Sequence, residues 1–291
     1  MEARRIGVTG ATGGLGGRVA ARLAERGVPQ RLLVRDAARA PELPDAEVAT
    51  FGGYNDPEGL RRALAGIDTL LLVSAAEHPD RVSLHRAAVD AAVAAGVERI
   101  VYTSVAGAAP DCTFTFGRDH FHTEEHIKAT GVGHTFLRDN IYLDFIPLLC
   151  GADGVIRGPA GDGRVAAVAR DDIAEVAAVV LTGADHDGHA YDLTGPEAFT
   201  LAEAAEELSR ASGRLVTYED ETVEEAFASR RPSGAPEFEV EGWVSTYTAI
   251  AAGELEATSD CVARFLDRDP VGLGDWLRAN PESYRHLLHE A

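Results

Sequence analysis

One short stretch of the chain has the residue types and spacing of a zinc hydrolase. The segment FGRDHFHTEEHIK, residues 116–128, places His122, Glu125 and His126 in the order H-x-x-E-H, which is the pattern of inverted zinc peptidases. Two histidines four residues apart lie on one face of a helix and could hold a metal. Such a site also needs a third ligand, and no matching acidic motif follows in the sequence. The pattern alone therefore does not predict a metal site.

A glycine-rich stretch near the start of the chain has the spacing of a phosphate-binding loop. VTGATGGLGG places glycines at 10, 13 and 16, between an apolar run and a segment with helical spacing. Such glycines allow a tight turn, a close backbone approach to a diphosphate, and close packing of helix on strand. The free N–H groups of the helix N-terminus would then face the phosphates. The predicted dinucleotide contacts are Gly10, Ala11, Thr12, Gly13, Gly14, Leu15 and Gly16.

The choice between NADPH and NADH depends on two residues at the end of the second strand-like run. LLVRD ends with Arg35 and Asp36. An acid at this place binds the ribose hydroxyls of NAD, whereas a guanidinium suits the 2′-phosphate of NADP. We predict NADPH as cofactor and Arg35 as its 2′-phosphate ligand. NADH stays open if the Asp36 carboxylate turns inward.

The elements around these motifs alternate between strand and helix. Six runs read as strands: RRIGVTG, QRLLVRD, EVATFGG, DTLLLVSAA, RIVYTSV and GHTFLRDN. They are apolar throughout, which indicates a parallel sheet covered by helices on both faces. Helix ends are marked by Gly27, by Gly96, and by Asp56 followed by Pro57. The predicted fold class is α/β, a Rossmann-type doubly wound parallel sheet.

The pattern loosens after about residue 140. IYLDFIPLLC reads as a helix, residues 151–169 as a pair of short strands, and TLAEAAEELSRASG as a helix capped by Thr200. We predict an NAD(P)-binding domain over 1–150. A smaller α/β region over 151–291 would pack on the sheet edge without a linker and shape a substrate pocket.

The composition limits the classes of binding partner and the cellular location that we expect. The 291 residues carry a formal charge of −20, which disfavours phosphate backbones. Three widely spaced cysteines indicate neither a disulfide framework nor a cysteine zinc site. No apolar run is long enough to span a bilayer, and no signal segment is evident. We expect a cytoplasmic protein with a small-molecule substrate and with no nucleic-acid or membrane partner; a homo-oligomer stays open.

Seven motifs in order resemble one family. They are TGATGGLGG, LLVRD, LLLVSAA, RIVYTSVAGA, RDHFHTEEHIKATGV, TFLRDNIY and GPAGDGRVAAVARDDIAEVAA. Together they resemble the NmrA-like atypical short-chain dehydrogenases/reductases, above all the NAD(P)H-quinone oxidoreductases. The resemblance implies hydride transfer from NADPH to a quinone or a similar conjugated carbonyl. It also implies cofactor contacts at Ser74, Ala75 and Thr103, a nicotinamide-facing Ser104, and substrate contacts at Arg138, Asn140, Tyr142 and Arg170.

Two departures from the wider family bear on the chemistry. The Tyr-x-x-x-Lys register, in which lysine helps tyrosine to pass a proton to a carbonyl, holds Phe116-x-x-x-His120. We predict His120, with Ser104, as the catalytic pair, His120 acting as an acid or hydrogen-bond donor; a purely structural histidine is the alternative. Gly53 stands where relatives often carry an acid, which leaves one adenine contact in doubt.

Two further functions fit the same sequence. NmrA-like proteins include non-catalytic sensors of NADP(H), and the missing Tyr-Lys pair is compatible with that function. The scaffold also serves reductases and epimerases of secondary metabolism. That second alternative is weakened because reaction at an unactivated carbon usually needs the tyrosine.

Overall fold

The computed structural model describes residues 5–288. Its strands are β1 Ile6–Thr9, β2 Gln30–Val34, β3 Ala46–Thr50, β4 Thr69–Leu72, β5 Arg99–Val105, β6 Gly133–Asp139, β7 Val155–Gly158, β8 Arg164–Val165, β9 His189–Leu193, β10 Phe199–Thr200 and β11 Thr217–Asp220. Its helices are α1 Gly16–Glu25, α2 Pro57–Ala63, α3 Arg81–Ala94, α4 Thr115–Thr130, α5 Arg170–Thr182, α6 Leu201–Ser212, α7 Val223–Arg230, α8 Glu237–Ala251, α9 Cys261–Leu266, α10 Leu273–Ala279 and α11 Arg285–Leu288.

The central sheet confirms the predicted fold class. Seven strands lie in the order β3-β2-β1-β4-β5-β6-β9, and the pairs from β3 to β5 are parallel. The strand order reverses between β1 and β4. In doubly wound sheets a dinucleotide binds at this switch point, outside the carboxyl ends of the strands. The segments that follow β1 and β4 are therefore the ones to examine for a site.

Local sequence signals explain where several elements begin and end. The Asp56 carboxylate accepts a hydrogen bond from Gly59 N at 2.9 Å, and Pro57 is the first residue of α2, as predicted. Thr200 and Glu203 form a capping box at the start of α6. Gly27 follows α1 with φ of +65°, a conformation that favours glycine.

The chain divides into two compact units that interleave along the sequence. Within the described residues, the first unit comprises 5–105, 119–138 and 170–191, and the second comprises 106–118, 139–169 and 192–288. Contacts therefore group 170–191 with the sheet and 139–150 with the second unit, whereas the predicted division follows chain order at residue 150.

Each unit has its own apolar core. In the first unit, side chains from β4, β5 and α3 pack together, among them Leu70, Leu72, Val89, Ile100 and Tyr102. In the second unit a separate core forms around α6, α8 and α10 and includes Leu208, Ile250, Trp276 and Leu277. All of these side chains are at most 6% exposed, so burial of apolar surface stabilises both units.

The second unit differs from the sequence prediction in one segment. IYLDFIPLLC was predicted as a helix, but it forms two short 3₁₀ turns, Leu143–Phe145 and Pro147–Leu149. Proline has no N–H to donate, so Pro147 cannot continue the hydrogen bonds of the first turn. The two predicted short strands exist as β7 and β8, but they pair with β11 and β10 and not with each other.

Within residues 5–288, no helix is long and apolar enough to cross a membrane.

Candidate active site

The glycine loop forms an open turn at the end of β1. Gly10 adopts φ of +64°, and Gly13 N donates to Gly10 O at 2.8 Å, which closes the turn. Residues 12–14 are exposed at its tip. Leu15 occupies the N-cap of α1, and an aliphatic side chain cannot accept from the first N–H groups of the helix. The loop therefore presents exposed backbone N–H donors at the positive end of a helix dipole, which suits a diphosphate.

Close packing explains why glycine stands at position 16. A Cβ atom there would lie 2.4 Å from Gly10 O and 2.7 Å from Thr9 O. Real side chains do not approach backbone oxygen so closely, so only glycine lets α1 begin directly against the turn. The predicted loop contacts, residues 10–16, thus lie in one turn whose shape fits a phosphate group.

Arg35 and Asp36 point to different partners. The Asp36 carboxylate accepts a hydrogen bond from Ala38 N at 3.0 Å and caps a 3₁₀ turn at Ala37–Arg39. Arg35 is exposed, and among residues 5–288 no carboxylate pairs with its guanidinium. Its Cδ lies 3.6 Å from the position of a Cβ atom at Gly53, where φ is +107°. This arrangement favours the 2′-phosphate of NADP over the ribose diol of NAD.

Arg170 lies at the glycine loop. The residue begins α5, and its Nη1 is 3.3 Å from the position of a Cβ atom at Gly14. The sequence had predicted a substrate contact. In the first unit the Arg170 guanidinium lies against Gly14, and the substrate contact stays a prediction.

The predicted residues at the ends of β4 and β5 meet. Thr103 is 1% exposed, and its Oγ1 accepts a hydrogen bond from Ser74 N at 2.8 Å. Ala75 follows, with its N–H bound to the ring of His85 at 2.8 Å. The segment after β4 is thus held from two sides, by β5 and by α3.

Ser104 and Arg138 both bind a buried acid that the sequence reading did not select. Ser104 Oγ donates to Glu124 Oε1 at 2.7 Å. Arg138 forms a two-pronged ion pair with the same carboxylate, with N–O distances of 2.9 and 2.6 Å. The Glu124 side chain is 1% exposed. The Ser104 hydroxyl and two N–H groups of Arg138 thus bind Glu124, while the nicotinamide contact of Ser104 and the substrate contact of Arg138 stay predictions.

His120 has both ring nitrogens bound inside the first unit. Arg81 Nη2 lies 3.0 Å from Nε2, and Tyr102 Oη lies 2.9 Å from Nδ1. Because a guanidinium can only donate, Nε2 accepts and Nδ1 carries the proton toward Tyr102. Burial, the Arg81 charge and His85 hold the pKa of His120 well below its usual range. These contacts fit the structural alternative, and the role of His120 as an acid or hydrogen-bond donor stays a prediction.

A neutral, buried His85 makes stability depend on pH. Burial, and then the Arg81 charge, lower the pKa of His85 to about 3, compared with about 6.5 in an unfolded chain. Because the folded value is the lower one, this contribution to stability is complete above about pH 6.5. It falls by about 1.4 kcal/mol per pH unit as the pH drops toward 3. Urea unfolding from about pH 6 to pH 4, between the two pKa values, measures this slope.

Two variants separate the contribution of His85 to this pH dependence from that of the many carboxylates of the chain. The variant His85→Gln should flatten the slope by about 1.4 kcal/mol per pH unit relative to wild type. The control His122→Gln changes an exposed residue on α4 and should leave the slope within about 0.3 kcal/mol per unit. Equal slopes in all three proteins would contradict the buried neutral state.

Asn140 and Tyr142 lie in the second unit. The Asn140 amide donates to Leu255 O at 3.0 Å and accepts from Ile141 N at 2.7 Å, and the residue is 2% exposed. These contacts fit a structural residue better than the predicted substrate ligand. Tyr142 is half-buried, donates to the Asp139 carboxylate at 3.0 Å and stacks on Phe145 at 5.6 Å. Phe145 is 42% exposed, so this aromatic pair reaches the surface.

The zinc-like pattern serves other contacts. His126 Nε2 pairs with Asp90 at 2.7 Å, and His122 is exposed. Across residues 5–288, no three histidine, cysteine or acidic side chains converge to hold a metal ion.

The sequence reading missed Glu124, although a signal for it exists. His120, Thr123, Glu124 and Ile127 follow the i, i+3, i+4, i+7 spacing of one helix face, and all four are buried. Arg81 and His85, four apart on α3, were missed as well. Their partners on α4, His120 and Thr123, are 39 and 38 residues away, and no local pattern points to them.

Comparison with known proteins agrees with this geometry. Residues 10–184 match a family model described as NAD(P)H-binding. Quinone oxidoreductase 2 of Escherichia coli (strain K12) is 35% identical over 290 residues, covering 98% of this chain and 99% of the relative. NAD(P)H azoreductase of Xenophilus azovorans is 32% identical over 281 residues, covering 95% and 98%.

A solved structure gives the same result. NADPH-dependent quinone oxidoreductase QOR2 from Escherichia coli, complexed with NADPH, superposes with a TM-score of 0.86. It is 31% identical, and the match covers 94% of this chain and 99% of that one. The chain belongs to the NAD(P)H-binding family, and its predicted place among the NmrA-like reductases is confirmed.

Proposed function

We propose that the protein is an NADPH-dependent oxidoreductase that passes hydride to a quinone or a similarly conjugated acceptor. The glycine loop would hold the diphosphate, Arg35 the 2′-phosphate, and Arg170 would add a positive charge at the loop. When bound, the dinucleotide supplies a hydride from its nicotinamide ring. The azo and quinone reductases among the relatives support an acceptor of this class.

The observation that carries the proposal is that both residues of the predicted catalytic pair direct their protons to internal partners. The Ser104 O–H points to Glu124, and the His120 N–H points to Tyr102. A ketone needs a proton from the enzyme as hydride arrives, whereas a quinone accepts hydride readily and gives a weakly basic oxygen. Solvent can supply that proton. The site therefore favours acceptors that are already electrophilic.

Tyr142 supports the choice of a flat substrate. Its ring and that of Phe145 lie 23° from parallel and form a partly exposed aromatic surface in the second unit. Planar conjugated rings stack favourably on such a surface. We propose Tyr142 as a substrate contact.

Stopped-flow mixing of the protein with NADPH and benzoquinone tests the proposal. We expect loss of the reduced-nicotinamide absorbance in proportion to quinone. We also expect kcat to vary by less than about twofold between about pH 6 and pH 8, because no protein acid limits the reaction. Tight, redox-selective dinucleotide binding with no turnover across a panel of quinones would favour a sensor instead. A bell-shaped profile with turnover only on simple ketones would favour an ordinary carbonyl reductase.

A further inference from the structure

In the segment that leaves β4, residues 73–75, five of the six backbone N–H and C=O groups bind side chains from four parts of the first unit. Val73 N donates to Thr9 Oγ1 at 2.9 Å, and Val73 O accepts from Tyr54 Oη at 2.6 Å. Ser74 N donates to Thr103 Oγ1 at 2.8 Å. Surface connections more commonly leave such groups to water. This segment, which we name the β4 exit, is fixed by the protein itself.

Helix α3 provides the last two bonds. Ala75 N donates to His85 Nε2 at 2.8 Å, and Ala75 O accepts from Arg81 Nε at 2.9 Å. His85 and Arg81 are four residues apart, so they lie on one face of α3. Both are at most 6% exposed. One face of α3 therefore binds both the backbone N–H and the backbone C=O of Ala75.

The Ala75 N–H can only donate, and this fixes the direction of the hydrogen bonds that His85 makes. The Ala75 N–H makes His85 Nε2 an acceptor, so the His85 proton is on Nδ1 and points to Thr123 Oγ1 at 2.9 Å. Thr123 in turn donates to Asp119 O at 2.7 Å. This series of hydrogen bonds connects the β4 exit to the backbone of α4.

Arg81 sets the direction of a second series of hydrogen bonds in the same way, because its guanidinium can only donate. It donates to His120 Nε2 at 3.0 Å, and the His120 Nδ1 proton points to Tyr102 Oη at 2.9 Å. The Arg81 side chain is 7% exposed, with the Asp119 carboxylate 3.7 Å away. Both imidazoles must stay neutral to accept these bonds. A buried network satisfied in this way fixes one arrangement of its members.

We propose that His85, supported by Arg81, His120, Tyr102 and Thr123, is a positioning residue for the nicotinamide half of the dinucleotide. The inference rests on the proposed function. A doubly wound sheet binds one half of the dinucleotide on each side of the switch point. Arg35 follows β2 on one side of β1, and the β4 exit lies on the other side, where the nicotinamide half would bind. With these five backbone groups already bound, residues 73–75 offer the ligand a fixed surface and the Ser74 side chain. Small displacements of such a surface reduce productive geometry.

Two variants of His85 separate positioning from bulk. His85→Leu leaves the Ala75 N–H buried without an acceptor, whereas the amide of His85→Gln can still accept from Ala75 and donate to Thr123. Calorimetry would compare NADPH with 2′-phospho-ADP-ribose, which lacks only the nicotinamide. We expect His85→Leu to weaken NADPH about tenfold and 2′-phospho-ADP-ribose less than about twofold. His85→Gln should recover NADPH binding to within about threefold of wild type.

A second route avoids dependence on the folding of one variant. Thr103→Val removes the acceptor of the Ser74 N–H with little change in volume and should give the same selective loss. His122→Gln, exposed on α4, is the matched control and should bind both ligands as wild type does.

The outcomes separate the two proposals. Equal losses for both ligands, or no loss in His85→Leu and Thr103→Val, would overturn the positioning role. Normal NADPH binding without quinone turnover would contradict the proposed reaction alone. No binding of either ligand by the wild-type protein would overturn both.

Discussion

Replacing Arg138 with methionine is expected to lower the free energy of unfolding by about 3–5 kcal/mol, because a buried carboxylate loses its ion-pair partner. Glu124 has a side chain that is 1% exposed, and Arg138 contributes two short N–H donors to it. Water cannot replace those donors at a buried position without rearrangement of the protein. Urea unfolding followed by circular dichroism measures the loss.

A surface ion pair provides the control for this prediction. Arg61 and Glu58 pair at 2.9 Å on α2, but their side chains are 47% and 69% exposed. Arg61→Met should therefore cost less than about 1 kcal/mol. The double variant Arg138→Met/Glu124→Gln should regain more than half of the loss, since the charge goes with its partner. Equal costs for Arg138→Met and Arg61→Met would contradict the buried pair.

Replacing Arg35 with alanine should weaken NADPH by about 1.5–3 kcal/mol, or about 10- to 150-fold, through loss of a charge-assisted bond to the 2′-phosphate. NADH has no such phosphate, so its affinity should change less than about twofold. Calorimetric titration of both cofactors into wild type and variant measures the difference. Equal losses for both cofactors would contradict the assignment of Arg35.

Arg170→Ala gives the complementary pattern. Its guanidinium lies against Gly14 of the loop that would hold the diphosphate. Both cofactors carry that diphosphate, so both should weaken by a similar factor. A loss confined to NADPH would move Arg170 to the 2′-phosphate instead.

The fold and the cofactor loop could be predicted because their determinants are local. Gly10 and Gly16 are required by a turn and by a contact within seven residues. The apolar strands and the capping residues Asp56 and Thr200 are also read from short windows. The direction of Asp36 was open in the sequence, although an acid before Ala-Ala-Arg is itself an N-cap signal.

The polar network around His120 could not be predicted in the same way, because its side chains meet across long sequence separations. His120 reaches Arg81, which lies 39 residues away, and Tyr102, which lies 18 away. Its orientation depends on how α3, α4 and β5 pack, which no short motif encodes. Arg138 ends a strand at a place typical of substrate ligands, yet a buried acid on α4 already binds it.

The most direct test of the account is a crystal structure of the protein soaked with NADP⁺. We predict diphosphate density within hydrogen-bonding distance of backbone N–H groups in residues 10–16, with the 2′-phosphate at the Arg35 guanidinium. Density for the dinucleotide at any other place, with this turn closed by the protein's own side chains, would contradict it.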